Sequence, residues 1–332
     1  MQAVANKTYP VLCLAGPTGC GKTSLALALA LSLPCEIINA DSRQIYADFP
    51  LICAQPTKEE QAVCPHHLYG ILPTTAKISA GEWRDRAIAV IEDVLMRRHV
   101  PLLVGGTGMY FHALLHGIAP IPPVHASLRA QFERRIEEEG VEALYEELTG
   151  IDPDFAAKIH PHDRQRITRG LEVFAQTGRT LSSWHEEKDS SKPQIVGPLF
   201  VVKATLEWLM PRCIKRIEKM CAEGAFTEVK NALKKCPDTS APGWSGIGCA
   251  EVLAFCQGRL SREECLALWQ DNTRAYAKRQ NTWFRGRKEA LFFAPDEKDV
   301  FITQAIETWH SLRQQYATRS LADKEGHCIE TE

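Results

Sequence analysis

The chain has no apolar stretch approaching the roughly 18 residues that a membrane helix needs, and its first residues carry no pattern of an export signal. A membrane or secreted protein is therefore not expected. A surplus of basic charge is also missing. The 39 Lys and Arg stand against 41 Asp and Glu, giving a net charge of −2. That excludes a surface basic all over, and any nucleic-acid partner would need a local basic groove. Metal-ligand spacing is absent too. The 12 cysteines are scattered, with no C-x-x-C pair and no Cys/His block, so zinc is not expected. The thiols read as reduced, small apolar fillers in a cytoplasmic protein.

What is present is ordinary for a soluble enzyme: 45% hydrophobic and 24% charged residues. At 332 residues the chain exceeds one usual core, so a main domain with an inserted lobe is expected. Residues 1–118 alternate strand-like runs (11–15, 36–40, 101–104) with helix-like ones (23–33, 79–98). That alternation predicts a parallel sheet covered by helices. After a proline-rich joint, A-P-I-P-P-V-H, residues 119–198 read as an all-helical insertion. Within it Asp152 and Asp163 open helices, and Ile167, Leu171 and Phe174 form one stripe. The strand P-L-F-V-V-K then returns the chain to the first domain, which continues as helices over 199–315. Residues 316–332 read as a disordered tail.

Gly16 to Thr23, G-P-T-G-C-G-K-T, fits the phosphate-loop pattern between a strand and a helix. Here Gly16, Pro17, Thr18, Gly19, Cys20, Gly21, Lys22 and Thr23 are expected to bind phosphates. Backbone N–H groups would turn inward, Lys22 would neutralise oxygens, and Thr23 would hold magnesium. The fold class is thus α/β, a parallel sheet of the P-loop NTPase kind flanked by helices and carrying a helical lobe. The next strand ends in N-A-D-S-R-Q, which places Asp41 beside the loop as a candidate general base or as a cap for the following segment. The strand after that ends in G-G-T-G-M-Y, without the carboxylate that P-loop NTPases use to hold magnesium. Glycines 105 and 106 either let a ligand approach or only make a turn. The missing carboxylate weighs against ATP hydrolysis and favours departure of a diphosphate.

Two stretches supply a basic groove. Residues 272–288 carry six Lys/Arg, including Lys278 and Arg279, and no acid. Tyr276, Gln280 and Trp283 share one helical face, with the aromatics reading as inward and the cations as outward. In D-R-Q-R-I-T-R, Gln165 and Arg169 share a face that suits phosphates, as an ordinary solvated face also would.

Together these residues resemble the tRNA dimethylallyltransferases from the phosphate loop to about residue 288. The motifs are D-S-R-Q-I-Y, P-H-H-L, S-A-G-E-W, G-G-T-G-M-Y, D-P-x-x-A-x-x-I-H-P-x-D-x-Q-R-I-x-R and Y-A-K-R-Q-x-T-W-F-R. The resemblance implies prenyl transfer from dimethylallyl diphosphate to the exocyclic amine of the adenosine 3′ of the anticodon, in tRNAs reading codons that begin with U. It implies Asp41 as general base, Thr107 at the target nucleoside, Arg212 on the diphosphate, and magnesium as cofactor. It implies tRNA contacts at Asp41, Ser42, Arg43, Gln44, Thr107, Arg129, Gln165, Arg166, Ile167, Thr168, Arg169, Gly248, Lys278 and Arg279, and P-H-H-L as a loop near the active site. A monomer is expected. The chain departs from the family at I-G-C-A-E (247–251), where I-G-Y-[KR]-E is usual, and at L-M-P-R-C around Arg212. The competing readings are a P-loop small-molecule kinase with Asp41 as base and a non-catalytic RNA-binding protein.

Overall fold

Apolar runs with both faces buried form the centre of the molecule. A computed structural model describes residues 7–187 and 193–325, with side chains through residue 316. Its strands are β1 (Thr8–Pro10), β2 (Leu12–Ala15), β3 (Cys35–Asn39), β4 (His66–His67), β5 (Val100–Gly105), β6 (Gln194–Val196), β7 (Leu199–Val202) and β8 (Ala290–Phe293). Every residue of β2, β3, β5 and β7 is buried. Such continuous apolar strands suit a parallel sheet covered on both sides. Six strands run parallel in the order β4-β3-β5-β2-β7-β8, and β1 pairs with β6 separately. That order sets β5 between β3 and β2, with Ala15 opposite Gly105 and Val104 opposite Asn39. The three motifs at the ends of these strands therefore emerge side by side at one edge of the sheet.

The helices form where the caps predict. Ser79 and Glu82 make a reciprocal capping box for Ala80–Met96, and Trp83, Ala87, Ile91 and Val94 form its buried stripe. The helix expected over 23–33 is Lys22–Ala30, and the strand expected over 36–40 is Cys35–Asn39. Leu206–Glu223 stays helical through Pro211, in the stretch where the sequence departs from the family.

The described chain divides into two compact units, residues 116–187 and residues 7–115 with 193–325. The first is all helical, and Ile167, Leu171, Phe132, Leu144 and Leu148 form its core. Phe174 is only half-buried, while Val173 is buried, so the stripe is shifted from the sequence reading. Residues 316–325 of the expected tail belong to the helix Lys298–Glu325, and 326–332 lie outside the described residues. Pro65–Leu68 also differs from expectation. His66 and His67 form the edge strand β4 rather than a loop, and His67 pairs with Glu36 at 2.6 Å.

Candidate active site

The phosphate loop leaves β2 at Gly16 and enters the helix Lys22–Ala30. Gly19 (φ +81°) and Gly21 (φ +91°) need the left-handed region that glycine adopts without strain. A side chain at Gly19 would also lie 2.6 Å from Cys213 Sγ. Two loop N–H groups are bonded within the protein. Thr18 N donates to Gln280 Oε1 at 2.8 Å, and Cys20 N donates to Pro17 O at 3.4 Å. Gly19, Gly21, Lys22 and Thr23 line a cavity of about 650 Å³, while Cys20 is buried and points away from solvent. Lys22 Nζ donates to the carbonyls of Gly16 and Pro17, both at 2.9 Å.

Asp41 follows β3 and borders the same cavity. Buried Asn39 builds its turn: Asn39 Oδ1 accepts Asp41 N–H at 2.8 Å, and Nδ2 donates to Asp41 O and Leu68 O, both at 3.0 Å. Asp41 Oδ1 in turn accepts the Arg43 N–H at 2.9 Å. One carboxylate oxygen thus serves a local turn, and the residue borders the cavity. Among the lining residues Asp41 is the only acid, facing Lys22, Arg43, Arg212, Arg216 and Arg279. Burial, and then the Asp41 charge, push the phenols of Tyr69, Tyr110 and Tyr276 well above their ordinary range. Burial thus favours their neutral forms.

Gly105 lines the cavity, and both it and Gly106 are also tightly packed within the protein. A side chain at Gly105 would strike the Ala40 backbone, and one at Gly106 would strike the Gln280 amide. Thr107 accepts the Ser42 N–H at 2.9 Å and donates to Ser42 Oγ at 3.2 Å, so it pins the turn that carries Asp41. Gln44 holds the carbonyls of Cys53 and Ala54. Arg43 donates to Ser245 Oγ at 2.9 Å.

On the helix Leu206–Glu223, Arg212 stacks on Trp208, 3.9 Å from the ring centroid. One turn later Arg216 reaches Thr18 Oγ1 at 2.5 Å. Arg216 is a cavity residue that the sequence reading missed. The i+4 spacing from Arg212 was the available signal. On Arg262–Arg285, Arg279 lines this cavity, and Lys278 lines a separate hollow of about 800 Å³ with Lys203 and Arg285. Tyr276 and Trp283 are half-buried, and the buried positions of this helix are Cys265, Trp269, Thr273, Ala277, Gln280 and Phe284.

Two expected tRNA contacts are closed by the fold. Ile167 is 0% exposed in the core of the helical unit, because its position in the apolar stripe turns it away from the Gln165–Arg169 face. Gly248 gives its N–H to Glu251 and its C=O to Val252 N, and Trp269 fills its side-chain space. Its neighbour Cys249 stands where the family carries an aromatic. It is buried with its thiol against Cys53, and burial raises its pKa. In the helical unit, Gln165 and Arg166 are exposed, Thr168 bonds back to Arg164 O, and Arg166 pairs with Asp163 at 3.3 Å. Arg169 is half-buried, and burial lowers its pKa. Glu172, 4.0 Å away, attracts it, and Arg129 repels it.

A parallel sheet with a phosphate loop at its carboxyl edge, facing five cations and one carboxylate, defines a P-loop enzyme that handles a polyanionic substrate. The comparisons narrow the class. Residues 44–287 match the IPP transferase family model. The chain is 55% identical over 303 residues to the tRNA dimethylallyltransferase of Desulfovibrio desulfuricans, covering 91% of this chain and 94% of that protein. It is 38% identical to that of Rhodopseudomonas palustris, over 88% and 98%. A solved tRNA isopentenylpyrophosphate transferase from Bacillus halodurans superposes with a TM-score of 0.66 at 29% identity, over 95% of this chain and 99% of that one. A eukaryotic dimethylallyltransferase solved acting on tRNA gives 0.72 at 27%, over 86% and 74%. The chain belongs to the IPP transferase family of tRNA dimethylallyltransferases.

Proposed function

We infer that this protein transfers the dimethylallyl group of dimethylallyl diphosphate to the exocyclic amine of the adenosine 3′ of the anticodon, in tRNAs reading codons that begin with U. The carrying observation is the cavity in which Asp41 faces the loop lysine and four arginines. In the reaction, the amine nitrogen forms a bond to the allylic carbon, the bond from that carbon to the diphosphate oxygen breaks, and Asp41 accepts the amine proton. An adenine amine is a weak nucleophile, so a placed carboxylate helps it. Lys22, Arg212 and Arg216 neutralise the departing oxygens.

Thr23 fits magnesium. The residue lines the cavity and carries a hydroxyl, and this ion commonly takes one or two protein oxygens together with phosphate and water. Among the described residues no cluster of three His, Cys, Asp or Glu competes for a metal. Bound there, magnesium would add charge neutralisation on the diphosphate. For tRNA, the exposed positions Gln165 and Arg166, together with Arg129 and Arg169, supply cations and polar groups for the backbone. We assign that role to the helical unit, and a monomeric, cytoplasmic enzyme accords with the reading. Among the described residues no helix is long and apolar enough to cross a membrane. A small-molecule kinase would use the same loop and Asp41, but nothing in the cavity favours it.

Mass spectrometry of an anticodon stem-loop incubated with the protein, magnesium and dimethylallyl diphosphate tests the reading. A prenylated adenosine is expected, and an unchanged mass refutes it.

A further inference from the structure

Gln280 is a buried amide, 5% exposed, on the helix Arg262–Arg285. It touches both halves of the site. Its Oε1 accepts the Thr18 N–H of the phosphate loop at 2.8 Å, and its Nε2 donates to Gly106 O of the β5 loop at 2.9 Å. The partners fix the orientation of the amide, since an N–H needs an acceptor and a carbonyl needs a donor. The missing side chain of Gly106 is the space that the amide occupies. Next to Gly106 in the chain, Thr107 holds the Ser42 turn that carries Asp41. Next to Thr18 stand the cavity-lining Gly19 and the Arg216 contact. One side chain thus spans the diphosphate loop and the loop supporting the base.

We propose that Gln280 is a positioning residue that sets the spacing between the diphosphate half and the amine half of the site. The assignment of those halves rests on the function proposed above, whereas the clamp itself rests on the two hydrogen bonds. Bringing two substrates together rewards correct separation, and a misplacement of about 1 Å costs on the order of 10²-fold. Both ends of the amide are taken by protein partners, so losing it should impair the joint step more than either binding.

The test uses Q280A, Q280M and Q280E in the full-length protein. The clamp predicts that Q280A and Q280M lower kcat by roughly 10–10²-fold, while KM for each substrate stays within a few-fold. Methionine fills the space without bonding. Glutamate accepts from Thr18 N but can donate to Gly106 O only when protonated. The Q280E rate should therefore recover relative to Q280A as pH falls through its carboxyl pKa. The groups facing this position are Asp41 beside Gly106, Arg216 at Thr18 and the Tyr276 phenol one turn back. All are common to both variants, so their ratio isolates the new carboxyl. A Q280M kcat within twofold of wild type, or a Q280E profile parallel to that of Q280A, overturns the proposal. Amide hydrogen exchange at Thr18, measured without substrate, is an independent check. Exchange at least about tenfold faster in Q280M supports the clamp, and unchanged exchange sinks it. Should wild type prenylate nothing, the functional reading falls while the exchange measurement still decides the clamp.

Discussion

Glu36 and Asp41 stand near opposite ends of β3, and their surroundings contrast sharply. Glu36, on the amino-terminal side, is 1% exposed. It is bonded by Arg97 at 3.0 and 2.7 Å, by His67 at 2.6 Å and by His99 at 2.7 Å. Burial pushes its carboxyl up, but those hydrogen bonds outweigh burial and hold it at about 2. Asp41, beyond the carboxyl end, gives one oxygen to a local turn and borders a cavity rich in cations. One carboxylate has its partners inside the protein, and the other is set where a substrate would supply them. The same sheet anchors charge at one edge and offers it at the other, as open α/β folds do.

The sharpest break between the two ends should come from Asp41→Ala. It is expected to lower prenylation by about 10²–10⁴-fold, the range for losing a general base, with tRNA affinity within a few-fold. Single-turnover kinetics and filter binding measure the two, and an undiminished rate would remove Asp41 from the role. Arg216→Ala should cost roughly 10²-fold in kcat/KM for the diphosphate, more than the same change at Arg43, whose guanidinium reaches Ser245.

Asn39→Ala probes the boundary between the ends. It strips partners from the Asp41 N–H and from two carbonyls. The change should destabilise the fold by about 1–3 kcal/mol and slow the reaction about tenfold, because misplacing a catalytic group is costly. Glu36→Gln should be the mirror image of Asp41→Ala: activity at neutral pH within about twofold, since Glu36 borders no part of the cavity, and stability lower by about 2 kcal/mol. The sign follows from the lowered carboxyl. The folded value of about 2 lies below the ordinary carboxylate value. The stabilisation is therefore complete above that ordinary value and drains as pH falls from about 4.5 toward about 2. Urea midpoints of wild type and E36Q should converge over that window. A constant gap would contradict the ion cluster.

Much of this was legible locally. The caps at Ser79, Asp152 and Asp163 depend on neighbours within a few residues and form as read, and the three motifs do lie at strand ends. Long-range partners were not legible. Nothing near Gln280 announces that its amide will meet Thr18 and Gly106, and nothing near Arg216 announces the Thr18 hydroxyl. Gly105 and Gly106 were read as admitting a ligand or making a turn, and nothing in the sequence pointed to Ala40 and Gln280 as what packs there. Ile167 was misplaced for a related reason. The family motif names a run of residues, whereas helical geometry sends Ile167 of that run into the core, as the apolar stripe had indicated. The loop at 66–67 was carried over from the family resemblance, and a two-residue strand is too short for alternation to correct it.

Phosphorus-31 NMR on the reaction with dimethylallyl diphosphate and an anticodon stem-loop addresses the central claim most directly. The account predicts one intact diphosphate released per adenosine modified, with the isoprenoid carbon on the exocyclic nitrogen. Orthophosphate release, or a phosphoryl group appearing on an acceptor when ATP is supplied instead, would contradict it.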